Sequence, residues 1–188
     1  MKLKSFLIIL LSLFLSSNSF ASEKINSKAK LIKMVTEAAK QDNQKLIDEY
    51  IKYGGNLNVQ DEKGYTPLIF AAYYGHEKLV TRLLDNGANA CTKDKRGNTA
   101  LMGAIFKGNI KVAYKLMSTD CDVNQENKAS QTALMYASLF GRKEIAKELI
   151  GKGAKIEIKD KDGRSAKDIA KSQFNKDMLN LLEKYSAR

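Results

Sequence analysis

Histidine occurs once in the 188 residues, tryptophan not at all, and cysteine only twice. The lone His76 excludes any multi-histidine metal site, and Cys91 and Cys121 can form at most one bridge. No phosphate-binding Walker loop, no Gly-x-Ser-x-Gly elbow and no Cys-x-x-Cys pair is present. Neighbouring carboxylates do occur, as in Asp48-Glu49 and Asp160 with Asp162, but on helix surfaces and turns where acidic residues are ordinary. The chain is therefore read as non-enzymatic, with no catalytic residue, metal or cofactor. Arginine is scarce, at five of the 32 basic residues. A lysine-rich excess of this kind is ordinarily solvated surface, so no specific nucleic-acid binding is expected despite the formal charge of +11.

Long apolar runs are missing too. The longest, Phe6 to Leu15, is interrupted only by Ser12 and is well short of the ~20 residues of a membrane span. Lys2 and Lys4 precede it, and Ser19-Phe-Ala21 follows before the polar Ser22-Glu-Lys. That layout predicts a cleavable secretory signal over 1–21, export to the periplasm or the exterior, and no stable membrane anchor after cleavage. With no cysteine after the apolar stretch, a lipoprotein anchor is excluded. The absence of any Asn-x-Ser/Thr sequon favours a bacterial setting.

What is present is a period. Asp61, Asp94, Asn127 and Asp160 recur every 33 residues, each followed by a hydroxyl residue at Thr66, Thr99, Thr132 or Ser165. Ala71, Ala104, Ala137 and Ala170 keep the register, as do Leu83, Leu116, Leu149 and Leu182. Such self-similarity predicts stacked helical units that bury their apolar faces only against one another. The hydroxyl residues cap a first helix, Gly75, Gly108 and Gly141 reverse the chain, and Leu79, Val80, Leu83 and Leu84 mark an amphipathic second helix. Gly87 and Gly153 suit a left-handed residue after that helix, a conformation that Asp120 in the intervening unit can also adopt at some cost.

Gly64-Tyr-Thr-Pro-Leu-Ile-Phe-Ala-Ala-Tyr-Tyr-Gly-His and Leu83-Leu-Asp-Asn-Gly-Ala-Asn closely resemble the ankyrin repeat. The register continues through Gly97-Asn-Thr-Ala-Leu-Met, Ser130-Gln-Thr-Ala-Leu-Met-Tyr-Ala and Gly163-Arg-Ser-Ala-Lys-Asp-Ile-Ala. The resemblance implies an all-α solenoid of antiparallel helix pairs joined by hairpin loops. Its divisions are a polar linker over 22–30 and a repeat domain over 31–188. That domain comprises a cap (31–60), three repeats (61–93, 94–126, 127–159) and a trailing cap (160–188). The chain departs from the family pattern at Ile69, Met102 and Met135, where histidine is common, at Asn127-Lys-Ala-Ser, which lacks the turn glycine, and at Phe174, where a glycine usually separates the helices.

The family binds other proteins through a concave groove and its hairpin tips. The resemblance places Tyr73, Tyr74, Phe106, Lys107, Leu139 and Phe140 in the groove, and Tyr65, Lys95, Arg96, Asn98 and Gln131 on the tips, with Lys63 and Lys128 beside them. An apolar centre with a basic rim predicts a partner protein for a monomeric binding module. Small exported bacterial members have been linked, as a family, to neutralising secreted toxins and to envelope oxidative-stress defence. Both roles, an immunity-type inhibitor and a stress accessory factor, stay open. Gly103, between Phe70 and Tyr136 in the repeat register, is expected to make room for one of those rings. Cys91 and Cys121 fall in adjacent units. Units stack about 10 Å apart and a disulfide needs Cα atoms within about 7 Å, so only an offset pair can bridge; a small buried free cysteine is the competing reading.

Overall fold

A computed structural model describes residues 21–186, and among them the backbone forms ten helices and no strand. The expected signal therefore lies, but for Ala21, outside the described residues. The helices come in pairs: α1 (Ala21–Lys40) with α2 (Gln44–Lys52), α3 (Pro67–Tyr74) with α4 (Glu77–Asp85), and α5 (Ala100–Lys107) with α6 (Ile110–Met117). Then follow α7 (Ala133–Leu139) with α8 (Lys143–Gly151) and α9 (Ala166–Ser172) with α10 (Lys176–Ser186). First helices stack in one row, α1 on α3 on α5 on α7 on α9, and second helices α4, α6, α8 and α10 in another.

Local chemistry starts each unit. The Thr66, Thr99 and Thr132 hydroxyls accept from the amides of Ile69, Met102 and Met135 at 3.1, 3.3 and 3.4 Å, satisfying donors that the first turn leaves free. Pro67, the only proline, occupies the first turn of α3, where a missing N–H costs nothing. Ile69, Met102 and Met135, the departures from the usual histidine, are core residues. Ala71, Ala104, Ala137 and Ala170 are completely buried. Their small side chains let successive first helices approach closely.

Between units the chain runs out to a hairpin tip and back. At each tip the opening carboxylate or amide organises the turn: Asp61 Oδ1 accepts from Lys63 N and Tyr65 N, and Asp94, Asn127 and Asp160 repeat the pattern. The tips are joined in a row by Lys95 N to Lys63 O (2.9 Å), Lys128 N to Arg96 O (2.8 Å) and Lys161 N to Ala129 O (3.0 Å). Gly64 is needed twice over, for its φ of +81° and because a Cβ there would lie 2.6 Å from the Lys95 nitrogen. The third tip keeps the same hydrogen bonds without glycine, its Ser130 holding φ 57°.

Three readings of the sequence change, and one contact is new. Residues 22–30 are the first turns of the continuous helix α1 and not a linker. Asp120 is not left-handed; α6 ends instead with the Ser118 and Thr119 hydroxyls donating to the carbonyls of Lys115 and Leu116 at 2.7 Å, which satisfies the free end of the helix without a positive φ. The ring beside Gly103 is Tyr73, with 3.8 Å to an ideal Cβ, rather than Phe70 or Tyr136. His76 reaches out of its own turn: its Nε2–H donates to Lys40 O at 2.8 Å, in the preceding unit. Asn109, one repeat on, donates in the same manner to the carbonyls of Ala72 and Tyr73.

Candidate interaction surface

The last turns of α3, α5 and α7 carry the aromatic positions, and three successive units bring them side by side. Tyr73 stacks on Phe106 (centroids 5.9 Å apart) and meets Tyr74 edge to face at 5.3 Å. Phe106 meets Phe140 edge to face at 5.0 Å, and Phe140 touches Tyr136 at 6.2 Å. At the leading end the His76 ring lies over Tyr74. Lys107 Nζ sits 5.1 Å above the Tyr73 ring, a cation–π contact. The file is thus packed internally and open to solvent at once: Tyr74, Phe106 and Leu139 remain 45, 43 and 39% exposed, while Tyr73 and Phe140 are half-buried.

The tips flank this file. Tyr65 packs edge to face on Phe70 of α3. The Tyr136 hydroxyl donates to Asn98 Oδ1 at 3.0 Å, and Asn127 Nδ2 donates to the same oxygen and to Gln131 Oε1. Asn98 and Gln131 are therefore half-buried and tied into a network beneath the surface, whereas Lys95 and Arg96 are exposed above it. Burial pushes the Tyr136 phenol above its ordinary pKa, against the opposing hydrogen bond from Asn127. The Tyr65 phenol moves the same way, through burial and then the negative charge of Asp94. Both phenols stay neutral at physiological pH.

Among the described residues no group of three or more His, Cys, Asp or Glu side chains is placed to hold a metal ion. The cavity lined by Ala90, Leu101, Met117 and Cys121 measures about 20 Å³, room for a single water. Beside it Cys91 and Cys121 are disulfide-bonded, with Cα atoms 5.4 Å apart. The offset works because Cys121 occupies the position of Ala88 in its own unit, while Cys91 lies three residues further along the preceding one.

A family model described as ankyrin repeats (3 copies) matches residues 35–127 and 107–187. The chain belongs to the ankyrin-repeat family. A stretch of 39 residues is 44% identical to an ankyrin repeat protein of Rickettsia bellii (strain RML369-C), covering 21% of this chain and 6% of that much longer one. The ankyrin repeat is a protein-interaction fold, and this ankyrin-repeat protein is accordingly a protein-binding module.

The repeat pattern located the file but left out one of its members, and it did not disclose a ring displayed on the last pair. Tyr136 is one helical turn before Phe140 and is recognisable only once its hydroxyl is seen to reach the tips. Phe174 occupies the column of Gly75, Gly108 and Gly141, with φ 53° and 91% of its surface exposed. The missing glycine was the available signal, and it announced a turn anomaly rather than a displayed ring.

Proposed function

We propose that this chain is an exported, periplasmic, non-enzymatic binding module that holds another protein against the aromatic file of α3, α5 and α7 and the neighbouring tips. The file carries the reading: rings from three successive units touch one another yet leave Tyr74, Phe106 and Leu139 open to solvent. Contiguous exposed rings of this kind cost the free protein solvation and become favourable when a partner covers them. Export is supported by the charged, apolar and small-residue order of residues 1–21 and by a disulfide, which persists in oxidising compartments and is rare in the cytosol.

The test is affinity capture from the cell-envelope fraction with the wild-type chain and a Tyr74→Ala/Phe106→Ala variant as baits. Proteins held by the first and lost by the second are the expected result, with each ring contributing about 2 kcal/mol or more to affinity. Thermal unfolding of the variant should hardly change. A large drop in its melting temperature would make the rings packing residues, and identical capture by both baits would move the site elsewhere.

A further inference from the structure

The charges around the file are unbalanced in one direction. Three of the four residues that open the tips are aspartates, yet their carboxylates turn inward onto backbone amides, and Asp94 and Asp160 are buried. The fourth is Asn127 and has no charge. What faces outward is Lys63, Lys95, Arg96, Lys128 and Lys161, all exposed and none in an ion pair among the described residues. Against them stand Glu62 and Asp162, and Asp162 is already taken by Arg164 at 2.7 Å. The outer helices mix their charges: Arg82 pairs with Asp48 at 3.0 Å and Lys111 with Glu77 at 3.8 Å, while the exposed Lys78 and Lys147 share their helices with Glu77 and Glu144. Tip-to-tip backbone hydrogen bonds hold the unpaired cations in a row, and the Tyr136 hydroxyl ties that row to the aromatic file.

We infer that the partner presents an acidic segment to this surface: its carboxylates meet Lys95, Arg96 and Lys128 on the tip row, and an aromatic or aliphatic side chain between them sits on Tyr74, Phe106 and Leu139. This rests on the reading of the file as the binding site and adds the chemistry of what fills it. A cation row beside an apolar strip matches a chain alternating carboxylates and apolar groups, because opposite charge steers encounter and burial of the apolar group supplies the affinity. Nucleic acid fits less well. The row holds one arginine, and ring faces of the file that a base would stack on are already engaged, Tyr73 with Phe106 and Tyr74 with His76.

Fluorescence anisotropy with the purified full chain tests this, using short labelled synthetic peptides of equal length and equal phenylalanine content. Their remaining positions are filled with glutamate, serine or lysine, and an oligothymidylate serves as the nucleic-acid probe. The glutamate peptide should bind about tenfold tighter than the serine peptide at low salt, an advantage that shrinks as salt is raised. Lys95→Glu/Arg96→Glu/Lys128→Glu should reverse the preference towards the lysine peptide, and the triple glutamine variant should abolish it. Phe106→Ala should weaken the glutamate and serine peptides alike. Equal binding of those two, still sensitive to Phe106→Ala, overturns the acidic partner and leaves the file as the site. Tighter binding of oligothymidylate than of any peptide assigns the row to nucleic acid. Binding of no probe also overturns the inference, and the capture comparison then judges the file independently.

Discussion

Phe174 and Gly103 are opposite errors of local propensity. Phe174 holds a left-handed backbone, φ 53°, that costs a residue with a Cβ about 1–2 kcal/mol, and with 91% of its surface exposed its ring gains no packing in return. Phe174→Gly is therefore expected to stabilise the protein by about 0.5–1 kcal/mol, the relief being offset in part by the greater freedom of an unfolded glycine. Urea titration measures it, and a loss of stability would mean the ring is supported after all. Gly103 errs the other way. It sits inside α5, where glycine is about 1 kcal/mol worse than alanine, and a Cβ would find ordinary contact with Tyr73 at 3.8 Å. Gly103→Ala should raise the melting temperature, by an amount worth about 0.5–1 kcal/mol, and leave capture by the file unchanged. A destabilised variant would show that the Tyr73 ring needs the vacancy.

At the level of elements, the start of α9 gathers two carboxyls whose surroundings favour their charged form. Ser165 and Asp168 cap α9 reciprocally: the Ser165 hydroxyl accepts from Asp168 N at 3.3 Å, and Asp168 Oδ2 accepts from the Ser165 amide at 2.8 Å and hydroxyl at 2.6 Å. These bonds, the hydroxyl's foremost, hold the Asp168 carboxyl below the usual range. Burial alone would raise Asp160, but the Arg164 side chain at 2.8 Å, its amide and its charge together hold this carboxyl down too. Carboxyls depressed in the folded state contribute stability that is complete above their unfolded pKa, near 4, and is lost as pH falls through the lower folded value. Amide exchange should consequently show α9 and α10 losing protection first as pH drops below about 4. Asp160→Asn should flatten that dependence while keeping the turn, since Asn127 already organises the equivalent tip. The 33-residue register made the helix pairs and tips legible, because one environment is written four times and each copy corrects the reading of the others. It was silent wherever a contact joins different columns of the repeat. Tyr136 to Asn98, His76 to Lys40 and the Tyr73 ring beside Gly103 all cross from one unit to the next, and no single unit's pattern displays them. The hydroxyls that end α6 were equally hidden, since serine and threonine there could as well have been solvated.

For the whole molecule, the bridge between Cys91 and Cys121 is the one covalent restraint on a stack otherwise held by neighbour contacts. It closes a loop with a sequence separation of 30, for which chain entropy gives roughly 3–4 kcal/mol. A Cys91→Ser/Cys121→Ser variant should lose about that much in denaturant titration, and thiol assay of the unfolded, unreduced protein should find no free thiol. Two free thiols in material from an oxidising compartment would overturn the bridge. The row of tips carries a different consequence. Each inter-tip hydrogen bond runs the same way, the amide of the later unit giving to the carbonyl of the earlier one. The array therefore has a head and a tail that are chemically complementary, and the surface exposed at one end is of the kind that every internal junction already joins to the other. Two copies meeting end to end would continue this series as an open, non-closing filament. The long helix α1 across the front and the exposed Lys171 and Glu183 on the last pair are what make such a junction a poor fit. Charges so placed would guard against polymerisation as well as against exposure of the core.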